Sequence, residues 1–132
     1  MNIQKRVNAF VILGKSLKKA VLSSDKKYAD EVLSFDLNQI FTKAEILNPW
    51  FTRENLLFAF SSLADMLDEN KLQKWISTYS FSEKITSKKI GVIMAGNVPM
   101  VGFHDMLCVL ISGHSFLGKL SSGEKQIISL FS

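Results

Sequence analysis

Apolar residues recur three and four positions apart through the first 86 residues of the chain. Ile3, Val7, Phe10, Val11, Leu17 and Val21 fall on one helical face, and Leu33, Leu37, Ile40, Phe41 and Ala44 on a second. Leu56, Phe60, Leu63 and Leu67 make a third stripe, and Leu72, Trp75, Ile76 and Tyr79 a fourth. This period predicts four amphipathic helices. Asn48-Pro49 punctuates the second and third, because proline disfavours a helical predecessor, and Thr52 is placed to cap the third.

From Lys88 the pattern changes. Residues 90–95, Ile-Gly-Val-Ile-Met-Ala, are continuously apolar without alternation, which predicts a strand buried on both faces of a parallel sheet. Pro99 suits the first turn of a helix running to about Ser112, with Gly113 as its left-handed stop, and residues 115–120 read as a second short strand. Residues 90–120 thus have the size and order of a βαβ unit, about 30 residues. A last helix is expected from about Gly123, carrying Ile127, Ile128 and Leu130. The expected fold class is α/β: an N-terminal helical region over residues 1–86, then residues 87–132 as the start of a Rossmann-like NAD(P)-binding domain, incomplete as it stands. No internal repeat or low-complexity tract is present.

Charge and composition narrow the function classes. The 132 residues are 47% apolar, enough for a core, and carry a net charge of +4. Much of that excess is local, since Lys5, Arg6, Lys15, Lys18, Lys19, Lys26 and Lys27 oppose only Asp25 near the N-terminus, as a solvated helix face would. No nucleic-acid partner is therefore expected. The single cysteine, Cys108, excludes an internal disulfide and fits a reducing compartment. Lysines follow the short apolar stretch after Arg6 where a signal peptide needs small residues, and the apolar run after Ile90 is broken by Gly-Asn-Val-Pro and by His104 and Asp105. A cytoplasmic chain with no membrane segment is expected.

The corner Gly96-Asn97-Val98-Pro99 is the strongest candidate for chemistry. In open α/β sheets ligands sit beyond the carboxyl ends of the strands, where backbone amides meet an anion and a glycine permits close approach. As a bare motif it is no G-x-G-x-x-G, and taken alone it reads more readily as a plain turn than as a ligand site. The other candidates are weaker. Gly14-Lys15-Ser16 ends like a P-loop, but Ala9 stands where that pattern needs glycine. His104 and Asp105 are neighbours and do not face each other on a helix, so Asp105 is expected to interact with the helix dipole. His114 reads as a loop residue, and two histidines with one cysteine give no metal-ligand spacing. Cys108, mid-helix among apolar residues, reads as an inert core thiol, and Trp50 and Phe51 as core contacts between helices.

The stretch "NPWFTRENLLFAF", followed by "IGVIMAGNVPMVGFHDMLCVLISGHSFLGKLSS", resembles the N-terminal part of the acyl-CoA reductases. These form a branch of the aldehyde dehydrogenase superfamily that includes the fatty-acid reductase of bacterial bioluminescence. The likeness is most specific over residues 48–122. It implies that Asn97 matches an asparagine whose side-chain amide stabilises the oxyanion formed when a cysteine attacks the acyl carbon. It further implies that Ala95, Gly96 and Val98 line the nicotinamide cofactor's cleft, and that Lys119 meets its adenosine ribose or 2′-phosphate, beside Ser121 and Ser122. Ser122 departs from the family by replacing a ribose-binding glutamate, which tilts the expectation toward NADPH, with NADH possible. Family members are several times longer. The resemblance therefore implies an N-terminal segment that lacks the catalytic cysteine, does not itself turn over acyl-CoA, and is prone to self-association. From the residues alone, a noncatalytic helical interaction module with a structural βαβ tail is the alternative.

Overall fold

The computed structural model describes residues 1–24 and 31–121, and only the backbone over residues 31–36. Four helices come first: α1 (Ile3–Ser24), α2 (Glu31–Leu47), α3 (Arg53–Met66) and α4 (Glu69–Ile76). Then follow β1 (Lys89–Ile93), α5 (Phe103–Ile111) and β2 (Ser115–Lys119). The fold is mixed α/β, mostly helical, with a two-stranded parallel sheet. The expected last helix, and Ser122, lie outside the described residues, as does the Leu33 side chain.

The helical stripes form the core, except that Tyr79 lies beyond the end of α4 and is exposed. Val7, Phe10, Val11 and Leu17 of α1 are buried together with Leu37, Phe41 and Ala44 of α2 and Leu56, Phe60 and Leu63 of α3. α1 packs chiefly against α3 and α2 and also touches α4 and α5. Phe103, Met106, Leu107 and Ile111 of α5 join the same apolar cluster, and the Phe10 and Phe103 rings meet edge to face at 6.4 Å. Lys5, Lys15, Lys18 and Lys19 are exposed, as a solvated face requires, but Arg6 turns inward.

The helix ends follow local chemistry. Thr52 caps α3 by accepting from the Asn55 amide at 3.2 Å, and the Asp68 carboxylate caps α4 by accepting from the Asn70 and Lys71 amides. Gly113, at φ 91°, ends the turn after α5. The start of α5 is not at Pro99. Met100 adopts φ 60°, outside the helical region, and turns close from Val98 to Val101 and from Met100 to Phe103 before the helix begins. Burial of the Met100 side chain offsets that backbone cost, on the order of 1–2 kcal/mol.

The strands also differ from expectation. Both alternate between half-buried and exposed positions, so the described elements cover one face of the sheet. Ile90, Val92, Phe116 and Gly118 turn toward the α5 side, whereas Ile93 is 84% and Leu117 66% exposed. Trp50 is 71% exposed while its neighbour Phe51 is fully buried, so only Phe51 is the interhelical core contact. No described helix is long and apolar enough to cross a membrane.

Candidate functional site

The site begins with strand register. β1 and β2 pair in parallel from Lys89 opposite Ser115 to Ile93 opposite Lys119, and the Met94 amide donates to the Lys119 carbonyl at 3.0 Å. The two chains therefore leave the sheet side by side at its carboxyl end. The turn at residues 94–98 and the residues after Lys119 meet there.

Ala95, Asn97 and Val98 are exposed at this tip, and Gly96 is half-buried. A Cβ on Gly96 would lie 2.4 Å from Ser121 Cβ and 2.6 Å from its Oγ. Glycine is thus required by the approach of this chain's own Ser121, and the space expected above Gly96 for a ligand is filled on that side. Ser121 Oγ is buried with no hydrogen-bond partner among the described residues. An unpaired buried hydroxyl costs on the order of 1–3 kcal/mol, so a further acceptor or donor there would be stabilising. The Lys119 side chain is exposed at the end of β2.

A second segment fixes the corner. Asn48, in the connection between α2 and α3, donates from Nδ2 to the Gly96 carbonyl at 2.7 Å. Sequence reasoning used Asn48 only as helix punctuation, because no local pattern reveals a partner so far along the chain. The helix N-terminus, by contrast, lies beyond the residue 99–102 turn and not directly behind Asn97.

Cys108 has a neighbour that adjacency arguments overlooked. His104, one helical turn earlier, places Nδ1 3.7 Å from the sulfur and packs against the Trp75 ring, whose centroid is 6.0 Å away. The pair does not make a thiolate. Burial first, and the Asp105 carboxylate second, push the thiol above its ordinary value.

His114 Nδ1 accepts from the Lys88 amide at 3.3 Å, a loop contact at the opposite end of the sheet. A hollow of about 890 Å³ lies at that end as well, between the start of α1 and residues 81–87, and includes none of residues 94–98. It is broad and open, and its Arg6 is already committed to backbone carbonyls. Among the described residues, no three of His, Cys, Asp and Glu gather as metal ligands. Compared with protein-family models, with curated proteins and with solved structures, the chain matches none of them.

Proposed function

We propose that this chain is the N-terminal segment of an NAD(P)H-dependent acyl-CoA reductase and forms one wall of its Rossmann-like cofactor site. The observation that carries the reading is the convergence of the residue 94–98 turn with Lys119 and Ser121 at one open tip of a parallel sheet. Ligands of open α/β sheets bind beyond that end of the strands.

The residues present suit the cofactor. An exposed amide on Asn97, an ammonium on Lys119 and an unpartnered hydroxyl on Ser121 form a donor set for phosphate and ribose oxygens. Ala95 and Val98 would line the cleft, and Gly96 contributes by letting Ser121 come close. NADPH, when bound, would supply the hydride that reduces a fatty acyl thioester to the aldehyde. Asn97 would donate its side-chain amide to the oxyanion, which adds rate because that charge develops only in the transition state. The nucleophilic cysteine would come from elsewhere in the enzyme, since Cys108 lies on α5 and is not activated.

Titrating the full-length protein with NADPH, before and after Lys119→Ala, tests the reading. Weaker binding by the variant supports it, and equal affinity refutes the role of Lys119. Asn97→Ala should lower turnover of acyl-CoA with little change in NADPH affinity.

The sheet face with Ile93 and Leu117, uncovered by the described elements, favours a second reading, a noncatalytic helical interaction module with a structural βαβ tail. Absence of NADPH binding by the full-length protein would support it over the reductase.

A further inference from the structure

We infer that Asn48 is the positioning residue of the residue 95–98 turn, an inference that rests on the cofactor reading for its functional consequence. Every polar group of Asn48 is committed. Its amide donates to the Ala44 carbonyl at 2.9 Å, and its own carbonyl accepts from the Phe51 amide at 2.9 Å. Its Oδ1 accepts from the Trp50 amide at 3.0 Å, while Nδ2 donates to the Gly96 carbonyl at 2.7 Å. Only this orientation of the side-chain amide satisfies both partners, because one is an N–H and the other a C=O.

The platform beneath Asn48 is rigid. Phe51 is buried in the core, Thr52 caps α3, and Asn55 Nδ2 donates to the Trp50 carbonyl at 3.1 Å. The Gly96 carbonyl is thereby tied to the helical region, while Ser121 packs against the other side of the same glycine. With the carbonyl fixed, the peptide joining Gly96 to Asn97 has one plane, and the backbone leading to the Asn97 and Val98 side chains has one direction. Asn48 acts through that peptide and need not touch cofactor or substrate. Fixing the turn before binding removes an ordering cost from the complex.

Asn48→Asp separates the latch from the helix connection. The carboxylate still accepts from the Trp50 amide, but it presents an acceptor where Gly96 needs a donor. In the full-length protein, Asn48→Asp is expected to keep the thermal midpoint nearer wild type than Asn48→Ala does, while the backbone NMR order parameters of residues 96–98 without cofactor fall from rigid values of about 0.85 to below about 0.6. NADPH affinity, read by fluorescence titration, should fall about tenfold, and Asn48→Ala should lose the thermal midpoint as well. Unchanged order parameters at residues 96–98 in Asn48→Asp overturn the inference, and so does their fall with unchanged NADPH affinity. Should the wild-type protein itself not bind NADPH, the cofactor reading fails and the order parameters alone decide whether Asn48 holds the turn.

Discussion

Arg6, in the first turns of α1, donates through Nε to the Ile111 carbonyl at 2.7 Å, at the last turn of α5. It also donates to the Met1 carbonyl, and its guanidinium lies over Gly113, where an added Cβ would come within 3.3 Å of Cζ. A cation here answers the partial negative charge at the carboxyl end of α5 and satisfies one of its last free carbonyls. The N-terminal helix is in this way fastened to the element that links the two strands.

Arg6→Ala is expected to cost about 1.5–3 kcal/mol, the range for a hydrogen bond involving a charged group. Urea unfolding should show a lower midpoint with an unchanged slope. Arg6→Lys should recover only part of the loss, because a single ammonium cannot bond two carbonyls in the fork geometry of guanidinium. A midpoint unaffected by either variant would show that the contact contributes nothing.

Gly14 is buried in α1 where the helix crosses the end of α3, and a Cβ there would sit 2.6 Å from Leu67 Cβ and 3.0 Å from the Leu67 carbonyl oxygen. Those atoms are at or next to the backbone and cannot rotate away. Alanine is the better helix former by about 1 kcal/mol, but overpacking at a fixed contact costs typically 1–3 kcal/mol. Gly14→Ala should therefore destabilise the fold on balance, measured as a fall in the thermal midpoint. A rise would mean that α1 and α3 can separate at no cost. The glycine that opens the P-loop-like triplet is explained by this crossing.

Phe51 and Trp50 are adjacent, yet Phe51 is fully buried and Trp50 is 71% exposed. Removing a buried ring leaves a cavity, so Phe51→Ala should cost about 3–5 kcal/mol. Trp50→Ala should stay within about 0.5 kcal/mol, as for most surface positions. Chemical denaturation of both variants checks the contrast, and comparable losses would contradict it.

These pairs mark what the residue pattern could and could not reveal. Val7, Phe10 and Val11, or Leu56, Phe60 and Leu63, bury as their spacing demands, because helical periodicity is a property of the segment itself. Thr52 is likewise a local cap. Residues 90–95 are different: their apolar run tolerates cover on both faces, but cover must come from another element, and Ile93 stays exposed. Pro99 is compatible with a first helical turn and with a plain turn alike. The burial of Met100 at positive φ decides in favour of the turn. Asn48 with Gly96, and Arg6 with Ile111, join residues that only the folded chain brings together.

Cys108 gives a prediction in pH. Its thiol is held above the ordinary value of 9.0, first by burial and then by the Asp105 carboxylate. Alkylation by iodoacetamide requires the thiolate, so its rate should be low near neutral pH and reach half its maximum above pH 9.0. Asp105→Asn removes the smaller of the two causes and should move that midpoint only part of the way down. The sign for stability follows from the protonated form being the one the fold prefers. The contribution is fully present below the unfolded thiol's value and is lost as pH rises through the higher folded value. His104→Ala distinguishes a poised thiolate from an inert thiol. If His104 were acting as a base, its loss would slow alkylation, whereas a thiol governed by burial and Asp105 should react no more slowly without it.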